Sequence, residues 1–430
     1  MPTPFRIGLC GWGTVAQAFY RLLQHNATLI EQRSGVRLQI QAVSSRTPPD
    51  LQGIASLPDV LDVAALDSLD AVIELIGGTD TAYQLALRTL NSGKHFITAN
   101  KALMATHGEE LTALAMQKNV SIGCEASVGG GIPLLRTICR AFTSDRTSAI
   151  HGILNGTCNY ILTQMEQGRD FSDALKTAQE LGFAEADPSL DIDGSDAAQK
   201  LAILSHLTFA TPLAFDHISQ EGIEQLLPFD LHTAERLGYS IRHLAIAEKH
   251  ASTHQVAARV HLAMLPQSSP LAQVQNEVSA VLFRNEAMGD QFLSGAGAGG
   301  AATAASVLAD AIELAQHPGT SKYLATGPGS AHFDTSANYS CRRYLRLKIR
   351  HTPGALARLT SLTGKLGINI EKIEQHQQEP DAIEGSEFRN VVMILSSVNE
   401  KLMKQLLKEL SSTNEVGDEM LHLRMVEFQS

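Results

Sequence analysis

The sequence predicts an α/β protein built from a doubly wound parallel sheet, an α+β domain and a small β-α-β-β-α-β unit. Three observations carry that expectation. Short apolar runs alternate with helical patterns over residues 1–125, a glycine turn follows the first run, and the element order changes after residue 340. The 430 residues, at roughly 150 per domain, correspond to about three domains. Apolar residues make up 44% and charged residues 18%, a globular balance with ample material for a core. A net charge of -11 and a pI near 5.8 argue against nucleic acid or an anionic membrane surface as partner. No apolar run reaches the roughly 18 residues of a membrane span, and no charged n-region of a signal peptide precedes Phe5. The five cysteines, Cys10, Cys124, Cys139, Cys158 and Cys341, form no CxxC pair or zinc-like spacing. They read as unpaired thiols of a reducing, cytoplasmic protein.

The expected strands of the first domain are Phe5–Leu9, Leu38–Val43, Ala71–Ile76, His95–Ala99 and Val120–Cys124. The first, third and fifth are continuous apolar runs, as in strands buried on both faces. Helical patterns such as Thr81–Asn91 and Gly108–Lys118 fall between them. After the first strand comes Gly11-Trp12-Gly13-Thr14-Val15-Ala16, a G-x-G-x-x-A turn leading into a helix. The first glycine permits the turn, the second lets backbone approach a pyrophosphate, and the small last residue lets helix and strand pack closely. Helix N–H groups then meet the phosphates. Residues 1–131 are therefore expected to be a Rossmann-type NAD(P)-binding domain, with Gly11, Gly13, Thr14 and Val15 at the cofactor.

The second strand runs into Ser44-Ser45-Arg46, with no carboxylate before Asp50. An acidic residue there reads the ribose of NAD, whereas arginine accommodates a 2′-phosphate. Arg46 therefore favours NADP(H) over NAD(H). Glu74, Gly77, Gly78 and Thr79 end the third strand, beside the expected cleft.

Residues 132–316 are expected to form the second domain. Up to residue 294 the chain reads as helix-rich with a strand candidate at Val256–Leu265. A Gly295–Gly300 turn then enters a helix at about 301–316. Within it, Asp196 and Lys200 lie four residues apart on one helix face. Ile203, Leu204 and Leu207 share that face, so the lysine is expected to be largely buried and paired. A positioned ammonium of this kind can give a proton to an oxyanion. The alternative is a surface ion pair contributing only about 0.3–0.5 kcal/mol. Lys101 follows the fourth strand in Thr98-Ala99-Asn100-Lys101, at the carboxyl edge of the sheet. Gly129-Gly130-Gly131 follows Glu125 and marks a tight turn or close backbone approach, whose carbonyls could hold a hard cation or serve structure alone.

Residues 317–340 are rich in Gly, Ser, Thr and Ala and read as a linker. Residues 341–430 are expected to hold strands at Tyr344–Ile349, Ile368–Ile373, Asn390–Leu395 and Leu421–Phe428, with helices at Ala355–Leu366 and Glu400–Leu410. That order is the ferredoxin-like split unit.

Six motifs together resemble the homoserine dehydrogenase family: GWGTVA at 11–16, ITANKALMA around Lys101, EASVGGGIPL from Glu125, GILNGTCNYIL at 152–162, GFAEADPSLDIDGSDAAQKLAIL at 182–204 and GAGAGGAATAASVLAD at 295–310. The resemblance spans about residues 5–316. It implies reversible NAD(P)-dependent interconversion of L-aspartate 4-semialdehyde and L-homoserine, toward threonine, methionine and isoleucine. It makes Lys200 the acid/base and brings Lys101 to cofactor and substrate. It assigns Glu185 and Asp196 to the amino acid with Asp191 nearby, and Gly182 and Gly299 to the nicotinamide. A monovalent cation, Na or K, is implied at Glu125, Val128, Gly130 and Ile132, and a homodimer or homotetramer is expected. Cys158 stands where the family usually has threonine. It opens a rival reading as a thiol nucleophile, with His151 close in sequence. A non-catalytic sensor would be expected to lack Lys200 or the carboxylates, and they are present. The 430 residues leave no room for a preceding aspartate kinase, so a monofunctional enzyme is expected.

Residues 342–428 resemble an ACT domain, through Arg346–Thr360 with its Pro353-Gly354 turn and through Leu366-Gly367-Ile368-Asn369-Ile370. This implies an amino-acid effector, threonine, at paired domains. His351 departs from the acidic residue many such domains carry near that position.

Overall fold

The computed structural model describes all residues except 1–3, 48, 50, 214, 251–252, 254, 319–330, 335–338, 377–386 and 428–430. Most of the expected linker therefore lies outside the described residues. The first domain supplies strands β1 (Phe5–Cys10), β2 (Leu38–Ser44), β3 (Ala55–Leu57), β4 (Ala71–Glu74), β5 (His95–Thr98) and β6 (Ile122–Gly123). Helices α1 (Thr14–Ser34), α2 (Val60–Ala65), α3 (Asp80–Asn91) and α4 (Lys101–Gln117) connect them. All strand pairs are parallel and the order is β3-β2-β1-β4-β5-β6, so the chain reverses direction across the sheet between β1 and β4. Ligands of such sheets sit in the crevice at that reversal. The three-residue β3 lies at the sheet edge and was not visible as an apolar run.

After a short α5 (Leu134–Arg136) come β7 (Thr147–Ile153), α6 (Gly156–Glu166), α7 (Phe171–Glu180), α8 (Ser189–Ile192) and α9 (Ser195–Phe209). Then follow β8 (Ser219–Gln220), α10 (Pro228–Arg236), β9 (Tyr239–Lys249), β10 (Gln255–Pro266), β11 (Val278–Asn285) and β12 (Gly289–Ala296). The α+β expectation holds and the Val256–Leu265 run is β10, but the helix-rich reading missed β7, β9, β11 and β12, which join β10 in a sheet beneath the helices. A buried charge interrupts the apolar run of β9. Arg242 in β9 is 1% exposed, with its guanidinium donating to Glu166 and to the carbonyls of Ala272 and Val274. Arg259 in β10 is 6% exposed and pairs with Glu248 at 2.8 Å.

Helix α11 (Gly300–Gln316) returns to the first sheet. Its Ala304, Val307, Ala311 and Leu314 share a core with Ile7, Leu9, Phe19 and Ile73. The fit is close enough that a Cβ at Gly300 would stand 2.7 Å from Thr14 Cγ2.

The C-terminal unit consists of β14 (Ser340–Arg350), α12 (Ala355–Lys365), β15 (Ile370–Gln375), β16 (Phe388–Asn399), α13 (Glu400–Ser411) and β17 (Val416–Met425). It is preceded by β13 (His332–Phe333), which pairs with β10 inside the expected linker. Its strands continue the second sheet in the order β12-β11-β7-β9-β10-β17-β14-β16-β15. The junction pairs Ala263 with Arg424 and Met264 with Met425. A buried carboxylate reinforces it. Asp230 on α10 accepts from Tyr344 Oη and Arg346 Nε, each at 2.8 Å, and from Leu227 N–H at 3.0 Å.

Removing one partner of a buried ion pair leaves the other charge uncompensated, at a cost of roughly 3–5 kcal/mol. Asp230→Ala is therefore expected to lower the urea midpoint clearly, with Arg346 left buried. A midpoint equal to that of the wild type would refute this role for the carboxylate.

Candidate active site

The turn after β1 is built for a close approach. Gly11 has φ +100°, and a Cβ there would stand 2.5 Å from the Leu75 carbonyl. Gly13 is the N-cap of α1 and offers no side-chain acceptor, so the first amides of a 21-residue helix are free for a ligand. Two clefts meet at Gly13 and Gly77. One, about 860 Å³, is lined by Gly11, Ser44, Ser45 and Arg46, which places the expected ribose reader beside the turn. The other, about 550 Å³, is lined by Thr14, Val15, Glu74, Lys101, Glu185 and Lys200. Free amides, paired glycines and a neighbouring arginine fit the phosphates and ribose of a dinucleotide.

Glu74 organises the floor between the clefts. It is fully buried, and its Oε1 accepts from the amides of Ile76 (2.8 Å) and Gly77 (3.0 Å). Thr98 Oγ1 donates to Glu74 Oε2 at 2.5 Å and accepts from Asn100 N–H at 2.9 Å. Asn100 Nδ2 donates to the Gly78 carbonyl at 2.6 Å, while its Oδ1 caps α4 at Leu103 N–H, 3.0 Å away. Lys101 is the next residue and begins α4.

The centre of the site is Asp196. Its side chain is 7% exposed and lies between two ammonium groups, Lys200 Nζ at 2.7 Å from Oδ2 and Lys101 Nζ at 3.1 Å from Oδ1. Burial works to raise the carboxyl, but Lys200 and Lys101 outweigh it and hold it at about 2. Lys200 Nζ also donates to the Leu154 carbonyl at 2.9 Å. Asn155 Nδ2 donates to Asp196 Oδ2 (2.9 Å) and to Asp191 Oδ1 (2.8 Å), and its Oδ1 caps α6 at Cys158 N–H. The expected ion pair is thus present but buried, and Lys101 joins it from across the cleft. Sequence reasoning missed Asn155. The signal was available, since asparagine before a helical run reads as an N-cap.

The remaining expected residues are distributed around this centre. Glu185 is exposed and lines the cleft. Asp191 lies behind Asp196, and burial followed by the Asp196 charge pushes its carboxyl up despite the Asn155 hydrogen bond. Gly182, Gly299 and Thr79 are not among the lining residues, whereas Ala298 and Thr81 are. Glu125, Val128, Gly130 and Ile132 are buried in one turn. The Glu125 carboxylate is occupied by the amides of Leu135 and Arg136, each at 2.8 Å, and the Gly130 carbonyl accepts from Ser306 Oγ at 2.6 Å. Among the described residues no group of three or more His, Cys, Asp or Glu could hold a metal.

Cys158 is buried, and burial with the nearby Asp191 raises its thiol well above the ordinary value. Its Sγ donates to the Asp191 carbonyl, and His151 pairs with Glu248 at 3.1 Å. An activated thiol needs a depressed pKa or an adjacent base, so the rival nucleophile is not supported.

Comparisons with known proteins agree over the whole chain. Residues 11–125 match the family model for the homoserine dehydrogenase NAD-binding domain, and residues 133–312 match that for homoserine dehydrogenase. Homoserine dehydrogenase of Pseudomonas aeruginosa is 36% identical over 98% of this chain and 99% of its own length. That of Bacillus subtilis is 34% identical over 96% of each. The crystal structure of a homoserine dehydrogenase from Thiobacillus denitrificans superposes with a TM-score of 0.89 at 32% identity, covering 99% of both chains.

Asp196 generates a pH prediction. Its carboxyl lies lower in the folded protein than in an unfolded chain, so its contribution is complete above about pH 4 and is lost as pH falls toward about 2. The contribution at neutral pH is on the order of 2 kcal/mol. Thermal melts of Asp196→Asn and wild type should differ most at neutral pH and converge in acid. A gap that stays constant from neutral to acid pH would refute the assignment.

Proposed function

The chain belongs to the homoserine dehydrogenase family, NAD(P)-dependent oxidoreductases that act on a CH–OH group, and we propose that Lys200 is its acid and base in the reversible reduction of L-aspartate 4-semialdehyde to L-homoserine. The observation that carries this reading is the Lys200 ammonium, held at the cleft by Asp196 and the Leu154 carbonyl. The nicotinamide supplies or takes the hydride when bound. The chain does the rest. An ammonium has three N–H donors. Two are engaged in this way, and the third serves the substrate oxygen, where negative charge grows during reduction. It stabilises that charge and delivers the proton. Asp196 holds the ammonium in place. Lys101 steadies Asp196 from the cofactor side. Glu185 meets the amino group of the substrate, with Asp191 and Asp196 behind it, and Gly182 and Gly299 are assigned to the nicotinamide end.

Arg46, exposed beside the turn, is assigned to a 2′-phosphate, so NADP(H) is preferred. The carbonyls of Glu125, Val128, Gly130 and Ile132 are assigned to a Na or K ion. The engaged Glu125 carboxylate leaves such an ion to backbone oxygens. The C-terminal unit is read as a ferredoxin-like ACT domain that takes threonine. Its support is the strand order β17-β14-β16-β15 and the two turns at Gly354 (φ +83°) and Gly367 (φ +69°). Pairing of such units gives a homodimer or homotetramer. A cytoplasmic location fits the unpaired cysteines, and no helix among the described residues is long and apolar enough to cross a membrane. Threonine, methionine and isoleucine biosynthesis is the pathway that this reaction serves.

Near-ultraviolet absorbance of NADPH, followed on adding aspartate semialdehyde, tests the reading. Lys200→Ala is expected to keep cofactor binding and to lose roughly two to four orders of magnitude in kcat. Retained turnover would move the acid to Lys101 or water. Glu185→Ala is expected mainly to raise the KM for homoserine. Arg46→Ala should narrow the preference for NADPH over NADH, and an unchanged ratio would remove Arg46 from cofactor choice.

A further inference from the structure

A charged fork links the C-terminal unit to the chain segment that lies against the site. Arg424, on β17, is 6% exposed on its side chain and donates to both oxygens of Glu221, Nη1 to Oε2 at 2.7 Å and Nη2 to Oε1 at 2.6 Å. Its Nε donates to Glu400 Oε1 at 2.7 Å. Glu400 is the first residue of α13, and it also accepts from Tyr339 Oη at 2.6 Å. One end of the fork is therefore anchored inside the C-terminal unit.

The other end rests against the segment that places Asp196. Ile223 N–H donates to the Ile192 carbonyl at 3.0 Å. Gln220 Nε2 donates to Ser195 Oγ at 3.1 Å. A Cβ at Gly222 would stand 2.5 Å from that same Ile192 carbonyl, and one at Gly194 would stand 3.3 Å from the Glu221 carbonyl. Residues 220–223 thus lie in backbone contact with residues 192–195, which connect Asp191 to Asp196. Glu221 N–H is in turn held by the Val260 carbonyl of β10 at 2.9 Å. No side chain intervenes at the two glycines, so displacement of one backbone displaces the other.

We propose that Arg424 is a positioning residue for the Asp196–Lys200 pair, acting through Glu221 and the 192–195 backbone, and that this fork is how the state of the C-terminal unit reaches the site. The inference rests on the catalytic reading of Lys200 and Asp196. Arginine suits the task because its planar guanidinium holds a carboxylate at two points, whereas lysine holds it at one. A displacement of α13 would carry Glu400, then Arg424, then Glu221 with it.

Glu221→Gln and Arg424→Lys in the full chain test it. The Glu221 side chain is 43% exposed, so its isosteric glutamine keeps the fold available even where Arg424→Lys does not fold. For Glu221→Gln, kcat is expected to fall roughly fivefold or more, with the KM for NADP unchanged. Amide hydrogen exchange over residues 192–199 is expected to quicken. Arg424→Lys should act in the same direction. Variants matching wild type in kcat and in exchange would overturn the inference, as would a rise in the KM for NADP equal to the fall in kcat. A wild type that turns over no homoserine would overturn the functional reading instead, and the exchange result would still decide the mechanical connection.

Discussion

The site depends on a carboxylate kept charged in a place that disfavours charge. Asp196 is almost fully withdrawn from water, and burial alone would neutralise it. Two ammonium groups reverse that outcome. They come from different parts of the chain, Lys101 from the first turn of α4 and Lys200 from α9. The first sheet and the helices over the second sheet must therefore be docked correctly before Asp196 ionises favourably. Folding of the two parts and assembly of the site are the same event.

Glu74 solves a similar problem by different means. It is fully buried, yet its oxygens are satisfied by amides and a threonine hydroxyl at the end of β4 and β5. Those donors belong to the loop beside the cofactor cleft and to the residues that begin α4. The carboxylate thereby fixes the approach of α4, which sets where Lys101 begins and whether it reaches Asp196. Glu74 is a matter of backbone geometry, while Asp196 is a matter of charge.

The legibility of this architecture in sequence follows the kind of burial involved. Strands β1, β4 and β6 lie within a parallel sheet covered by helices, so their residues read as continuous apolar runs. Strand β9 is equally buried but carries Arg242 and His243, whose polar ends find partners at Val274, Glu166 and Glu221. No local pattern announces such partners, so of this sheet only β10 was legible, as the run Val256–Leu265. The same contrast holds in the site. The four-residue spacing of Asp196 and Lys200 is a helical signal, whereas the contact of Lys101 with Asp196 spans two domains. Asn155 was visible as a cap but not as the donor joining Asp191 to Asp196.

That geometry also separates two roles which the sequence had merged. The resemblance gives Glu185 and Asp196 alike to the amino-acid substrate. Yet both oxygens of Asp196 are already engaged, by Lys101 on one side and by Lys200 and Asn155 on the other. A substrate ammonium approaching Asp196 would have to displace a protein ammonium at similar distance, with no net gain in charge pairing. Glu185 faces the cleft and is exposed. On the proposed reading it is therefore the carboxylate whose charge the substrate can use, while Asp196 organises the lysines. The carboxylates Glu185, Asp191 and Asp196 outnumber the two lysines, which leaves negative charge over for an amino group. On the proposed reading, an amino acid binds beside the Lys200 ammonium because the site neutralises its own lysines first.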